Sequence, residues 1–342
     1  MPLRPSLIDV AREAGVSAAT ADRALNGRAG VRPRTAERVS EAAHRLGYRP
    51  DPAAARLARA RVARLAFVLP AGTNTFVGML AEQIGALGAW LAEQRGHAEV
   101  QTVDVFSPGA LAQHLAGLHR RFDAVIVMAL DHPLVRAAID DLAASGTAVV
   151  TLVSDVPGSR RLHYVGIDNV AAGRTAGTLL GRFAGARDGS VGVVLGGHAL
   201  RDHAERLLGF RQVLGSEYPT LKVLDPIEAQ DSSERTEPLV ARLLKRERAL
   251  VGLYSIGAGN RGIQAALEAS QRTREITWIC HELTPHARRA LLNGTADAVI
   301  NQDAGHEVRS ACRLALARLS GERVLPDQER IRIDIFVKDN LP

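Results

Sequence analysis

Arginine crowds the start of this chain. Met1–Arg61 holds 12 arginines, no lysine and six acidic residues, a surplus of six positive charges. The full 342 residues carry 43 basic against 37 acidic side chains, also +6, so everything from Val62 onward is balanced. Guanidinium groups at that density suit a polyanion, each planar fork taking phosphate oxygens two at a time. Other spacings invite chemistry without supporting it. Gly257-Ala-Gly259-Asn-Arg-Gly262 has the glycine spacing of a dinucleotide loop, and His281-Glu282 follows at nearly the right distance. The motif comes late in the chain rather than in an opening βαβ unit, so no nicotinamide is expected. His281-Glu282-Leu-Thr-Pro-His286 sets its second histidine one place too far for a zinc-protease motif, and Pro285 breaks the helix that would align the rings, so no metal is expected. No Ser/His/Asp or paired-carboxylate arrangement stands out. Neither a cofactor nor catalysis is anticipated. Cys280 and Cys312 read as reduced, buried thiols of a cytoplasmic protein.

The elements that would carry the arginines are helical. Ser6 can cap a helix opening at Leu7, with Asp9 in its first turn and Ile8, Val10, Ala11 and Ala14 on one face. Gly15-Val16-Ser17 breaks it, and Ser17 can cap a second helix over 18–25 that stops at Asn26-Gly27. A third helix fits 33–46, with proline at its start and Gly47 just past its end. Helix, short turn, helix and a supporting helix is a DNA-binding arrangement. Aromatic residues make up only 4% of the chain, which disfavours stacking on single strands.

Three stretches sharpen this reading: Asp9 to Ser17 (DVAREAGVS), Thr20 to Gly27 (TADRALNG) and Arg38 to Pro50 (RVSEAAHRLGYRP). Together they closely resemble the head of the LacI/GalR family of bacterial transcription regulators. The resemblance implies that the second helix enters the major groove of double-stranded operator DNA. Ala18, Ala19 and Arg23 would then face bases, and Ser6, Ser17, Thr20 and Asn26 would hold phosphates. Arg23 could grip a guanine with two hydrogen bonds. Ala21-Asp22 departs from the Val-Ser common there; Asp22 would repel a phosphate, or else orient Arg23 or refuse certain bases. The alanine-rich segment Pro52–Arg61 resembles the family's hinge helix, with Leu57 as a minor-groove wedge and Arg56, Arg59 and Arg61 on phosphates or in the minor groove.

From Val62 the pattern changes. Apolar runs at 64–70, 100–105, 124–130 and 148–152 alternate with helical stretches at 79–94, 111–121 and 134–144. The rhythm restarts at 191–195, 201–214, 222–224, 234–247, 250–254, 259–270, 276–280, 285–293 and 298–301. Such alternation predicts parallel sheets, here two α/β lobes with a ligand cleft at the carboxyl ends of the strands. The expected fold is thus an all-α helix-turn-helix head joined to a two-lobed α/β body. Expected boundaries are 1–50 for the head, 51–61 for the hinge and 62–342 for the body. The first lobe would take about 62–166 with a return near 302–330, and the second about 168–300 with the C-terminus.

Val165-Gly-Ile-Asp168-Asn169 with Ala172-Gly173, Arg206-Leu-Leu-Gly209-Phe210, and 294–302 make the body similar to the periplasmic sugar-binding-protein fold that LacI/GalR regulators use as an effector domain, the ribose/pentose branch in particular. That resemblance implies effector contacts from Asn74, Phe76, Asp131, Arg206, Asn260, Glu282 and Gln302. Glu282, Thr75 and Val77 depart from the ribose pattern, which argues against ribose itself. The implied function is a sugar- or polyol-responsive repressor of carbohydrate genes, a cytoplasmic homodimer associated with the nucleoid when on DNA. Two alternatives are a transport-type sugar-binding protein, disfavoured by the basic head and the lack of a signal peptide, and a nucleotide-binding α/β enzyme, favoured only by the glycine motif. No apolar run is long enough to span a membrane.

Overall fold

A computed structural model describes residues 5–25, 30–48, 62–72, 74–257, 259–322 and 324–342. The chain divides into two compact units, Met1–Arg61 and Val62–Pro342. In the first, α1 (Leu7–Glu13), α2 (Ala18–Leu25) and α3 (Pro33–Leu46) surround a small core of Val10, Ala11, Ala14, Ala21, Val39, Ala42 and Ala43. Ser6 and Asp9 form a reciprocal capping box at the start of α1. Gly15 takes φ +64°, which lets the chain turn sharply into α2. Arg38 ties that turn to α3, its Nη2 donating to the Ala14 carbonyl at 2.6 Å. Gly47, at φ +63°, ends α3.

The second unit opens with β1 (Ala63–Pro70), α4 (Thr75–Ala86), α5 (Gly88–Glu93), β2 (Gly96–Val103), α6 (Pro108–Ala116), β3 (Ala124–Val127), α7 (Pro133–Ala144), β4 (Ala148–Leu152) and β5 (His163–Val165). Its strands make one parallel sheet in the order β2-β1-β3-β4-β5. The continuous helix expected over 79–94 is two helices, broken at Leu87. The second half runs through α8 (Asn169–Ala184), β6 (Gly189–Leu195), α9 (Arg201–Glu217), β7 (Leu221–Val223), β8 (Ile227–Glu228), α10 (Ser233–Arg246), β9 (Leu250–Ser255), α11 (Asn260–Ser270), β10 (Thr277–His281), α12 (Pro285–Asn293) and β11 (Ala298–Asn301). The chain then returns through α13 (Ala304–Ser320), which packs on β4, β5 and α4 of the first half. It goes back as β12 (Asp334–Phe336), antiparallel to β11. The second sheet reads β12-β11-β10-β9-β6-β7, with β8 beside β6.

Each sheet thus starts at an inner strand, steps outward once, then reverses past its start. The reversal falls between β1 and β3 in one sheet and between β6 and β9 in the other, where connections splay apart and leave a crevice at the strand ends. Central strands such as β3 and β4 are buried along their whole length, as parallel strands covered on both faces must be. One core cluster runs from Phe67 and Ile126 of the first sheet to Val193 and Ile279 of the second. The helix that will carry Arg206, α9, lies against α8 with no side chain between them at two points: a Cβ on Gly173 would overlap the Arg206 carbonyl, and one on Gly209 would overlap the Val170 carbonyl. Cys280 and Cys312 are buried and free. Among the described residues, no helix is long and apolar enough to cross a membrane.

Candidate functional site

In the head, α2 turns Ala21 fully inward and leaves Ala18, Ala19 and Arg23 exposed. These are the three positions expected to face bases. Ser17 caps α2: its Oγ accepts from the Thr20 amide at 3.2 Å and lies 2.9 Å from the Thr20 hydroxyl. Ser6 Oγ donates to Asp9 Oδ2 at 2.7 Å. Three of the expected phosphate-holding side chains therefore also build helix starts, where free amides already favour an anion. Asn26, Arg56 and Leu57 lie outside the described residues.

In the larger unit, a cleft is lined from the ends of both sheets. Asn74, Phe76, Arg206, Asn260, Glu282 and Gln302 all line it. Asp131 does not; its two carboxylate oxygens hold Arg136 at 2.9 Å and Arg201 at 3.3 Å. Asn74 caps α4, accepting from the Phe76 amide at 3.0 Å, and its amide reaches Asp231 of the second half at 3.4 Å. Asn260 opens α11 and is used at both ends: it accepts from Ser255 Oγ at 2.6 Å and donates to the His281 carbonyl at 3.0 Å.

Arg206 is the hub, a fully ionised group only 2% exposed. Its Nε donates to Asn169 at 2.8 Å and its Nη1 to the Ile256 carbonyl at 2.8 Å. Burial works against its charge, but Asp202 and then Glu282 outweigh that and hold it protonated. Glu282 Oε1 accepts from Gln302 Nε2 at 2.8 Å and lies 3.9 Å from Arg206 Nη1. Behind this wall, Glu307 is completely buried, and burial followed by the nearness of Glu282 raises its carboxyl well above the usual range. His281 meets the Tyr254 hydroxyl at 2.8 Å and stays neutral, since burial and then Arg206 both oppose its protonation. Tyr254 stacks on Phe210, one helical turn beyond Arg206, at 4.5 Å between centroids.

Reading the sequence did not single out Asp202, His203, Asp231, Met128 or Val153, all of which line the cleft. Asp202 had a usable signal, since it precedes Arg206 by one turn on the same helix face. Met128 and Val153 follow strands directly, as the expected contacts do.

Burial pushes Glu282 up to about 7 from its ordinary value of 4.5, with Arg206 and Gln302 only partly opposing it. Folding therefore retains a proton that the unfolded chain releases, and this contribution is complete below pH 4.5 and lost as pH rises to 7. The contribution is on the order of 3 kcal/mol. Urea melts at pH 5 and pH 8 should show stability falling across that window, with a smaller fall in Glu282→Gln. An equal fall in both proteins would refute the assignment.

Residues 65–323 match the family model for the periplasmic binding protein domain, and that span is most of the chain. The chain belongs to the periplasmic binding protein domain family. Residues 6–51 match the model for bacterial regulatory proteins of the lacI family, so a LacI-type helix-turn-helix domain precedes the periplasmic-binding-protein body. The chain is similar to catabolite control protein A of Priestia megaterium, 42% identical over 79 residues, which is 23% of this chain and 24% of that protein. It is 43% identical over 91 residues to the HTH-type transcriptional regulator GntR of Pseudomonas aeruginosa, covering 27% of this chain and 26% of that one. These alignments span about a quarter of the relatives' length. Solved structures share the body's fold. GanP, a glucose-galactose binding protein from Geobacillus stearothermophilus, has TM-score 0.74 at 19% identity, over 82% of this chain and 99% of its own. A solute binding protein from Burkholderia graminis in complex with D-arabinose has TM-score 0.74 at 19% identity, over 82% and 97%.

Proposed function

We propose that this protein is a cytoplasmic transcription regulator that binds operator DNA through residues 1–50 and a sugar or polyol in the cleft of residues 62–342. The observation that carries the reading is the union, on one chain, of a LacI-type head with a periplasmic-binding-protein body whose cleft is walled by buried polar side chains. The similar regulators support the DNA-binding half of the proposal, and the sugar-binding neighbours support the other half. Those neighbours include transport proteins, and the head separates this chain from them.

The protein acts as a homodimer, so that two heads address two half-sites of a near-palindromic operator. Residues 51–61 serve as the hinge, with Leu57 wedged into the minor groove and Arg56 on the backbone. Ser6, Ser17, Thr20 and Asn26 hold phosphates. Asn74, Phe76, Arg206, Asn260, Glu282 and Gln302 receive the effector, and Asp131 joins them only by releasing Arg136 or Arg201. Effector closes the body's two halves and alters the head's grip on DNA, a coupling that is reciprocal by linkage. Repression of carbohydrate genes follows if effector loosens the grip.

A mobility-shift titration on the protein's own upstream DNA, with and without a sugar panel, tests this directly. Specific binding that changes with one sugar is expected. No preference over random duplex, with or without sugars, would overturn it. Arg23→Ala should relax base preference at one position per half-site and cost about 1–3 kcal/mol of operator affinity. Selection of binding sites from a random pool would read this out, and an unchanged motif would remove Arg23 from the bases.

A further inference from the structure

The free polar atoms of the cleft wall are unequal in kind. Asp202 is 2% exposed, Glu282 6% and Gln302 1%, and all three line the cleft. Among the described residues, Asp202 Oδ1, Glu282 Oε2 and Gln302 Oε1 have no hydrogen-bond partner. Asp202 Oδ1 and Gln302 Oε1 are acceptors, and Glu282 Oε2 joins them once that acid, whose proton burial holds to about pH 7, is ionised. Against them stand Arg206 Nη2, an unused donor, and His281 Nδ1, which donates or accepts according to the tautomer of the ring. Several remaining atoms of these side chains have neighbours already. Asp202 Oδ2 lies 3.6 Å from His203 Nε2, Glu282 Oε1 accepts from Gln302, and Arg206 Nε and Nη1 are spent on Asn169 and Ile256.

Charge points the same way. Asp202, Asp231 and Glu282 line the cleft, against the guanidinium groups of Arg206 and Arg261. Arg261 is exposed, whereas Arg206 is buried with its charge already met by Asp202 and Glu282. A ligand entering the buried part of this wall meets acceptor oxygens that need donors, and the buried cation there, Arg206, is already paired with carboxyl groups. An anionic group set there would be stripped of water beside the carboxyl groups of Asp202 and Glu282, and the repulsion grows as Glu282 loses its proton above about pH 7.

We propose that Asp202 is a specificity-determining contact of this cleft, and that with Glu282 and Gln302 it selects effectors rich in hydrogen-bond donors and bearing no anionic group: neutral polyhydroxy rings or their amine derivatives, in preference to sugar acids. The inference rests on the sugar-binding reading above and narrows it. Hydroxyl or ammonium donors satisfy the three acceptors, one ligand oxygen takes the Arg206 donor, and Phe76 and Met128 supply apolar surface.

The test is calorimetric titration of the full-length protein with sets matched in ring and differing in charge: glucose, glucosamine and glucuronate; galactose, galactosamine and galacturonate; xylose and xylonate; ribose and ribonate. In at least one set the neutral or amino sugar should bind tenfold or more tightly than its acid. An amino sugar ahead of its neutral parent identifies an ammonium as the donor, and parity identifies hydroxyls. Asp202→Asn should weaken the preferred sugar about tenfold and shrink the neutral-to-acid ratio. An acid that binds wild type as well as its neutral counterpart, or a ratio unmoved by Asp202→Asn, overturns the proposal. The wild-type comparison decides the matter even if the variant fails to fold. If no member of the panel binds, the carbohydrate reading itself falls, a result distinct from preference for an acid.

Discussion

Arg206→Ala is expected to abolish the response to effector and to destabilise the 62–342 unit by about 3–5 kcal/mol, while the head still binds DNA. Two effects combine. The guanidinium supplies an unused donor of the cleft, so a ligand loses its charged partner. The greater loss is internal. Asp202, under a tenth exposed, would be left without the cation that now offsets its burial, and Glu282 would lose the cation that favours its ionised form. Removing one partner of a buried pair leaves the other charge uncompensated, which costs far more than the pair contributes. Asn169 and the Ile256 carbonyl also lose their donor. Arg206→Lys should fall between, since an ammonium keeps the charge but cannot make both bonds with one rigid fork. Thermal and urea melts with effector titration check this. A variant with wild-type sugar affinity, or one within about 1 kcal/mol of wild-type stability, would refute the hub assignment.

Gly173→Ala is the second large effect, a loss of about 3 kcal/mol from a single added methyl group. The new Cβ would sit on the Arg206 carbonyl oxygen, a backbone atom that no rotamer change can move aside. Relief requires α8 and α9 to part, and α9 carries Asp202 and Arg206 into the cleft. Effector affinity should therefore drop together with stability. Gly215→Ala on the same α9 is the internal control: nothing lies within 4 Å of its Cβ, so the better helix former should stabilise the protein by about 0.5–1 kcal/mol. Opposite signs for two Gly→Ala changes, one on each member of this helix pair, separate close packing from helix propensity. Equal signs would refute the seam.

Much of the fold was legible because local signals were strong. The second and third helices of the head end where serine, proline and glycine place them, at Ala18–Leu25 and Pro33–Leu46. The α/β rhythm of the body was equally plain, since fully buried parallel strands read as unbroken apolar runs. Short edge strands were not. β5 and β12, three residues each and only partly buried, carry no periodicity to detect. The helix expected over 79–94 breaks at Leu87 without a proline to announce it.

The site divides the same way. Asn74, Phe76, Asn260, Glu282 and Gln302 follow strands, and the strand-end position that made them visible is also what brings them to one cleft. Asp131 holds the same kind of position, but α7 and α9 bring Arg136 and Arg201 against it, and no spacing in the chain foretells that pairing.

Residue types and their order along the chain determined by themselves where arginine accumulates, which segments are helical in the head, and that the body alternates strand with helix. Those properties depend on neighbours a few positions apart, so the sequence contains them whole. Only the tertiary structure decided which carboxylates share Arg206, which of their oxygens are left without partners, and that Glu282 keeps its proton to about pH 7. Burial and charge pairing depend on groups far apart in the chain, Asn169 with Arg206 and Glu282 with Gln302, and their energies exist only once folding has removed the water between them.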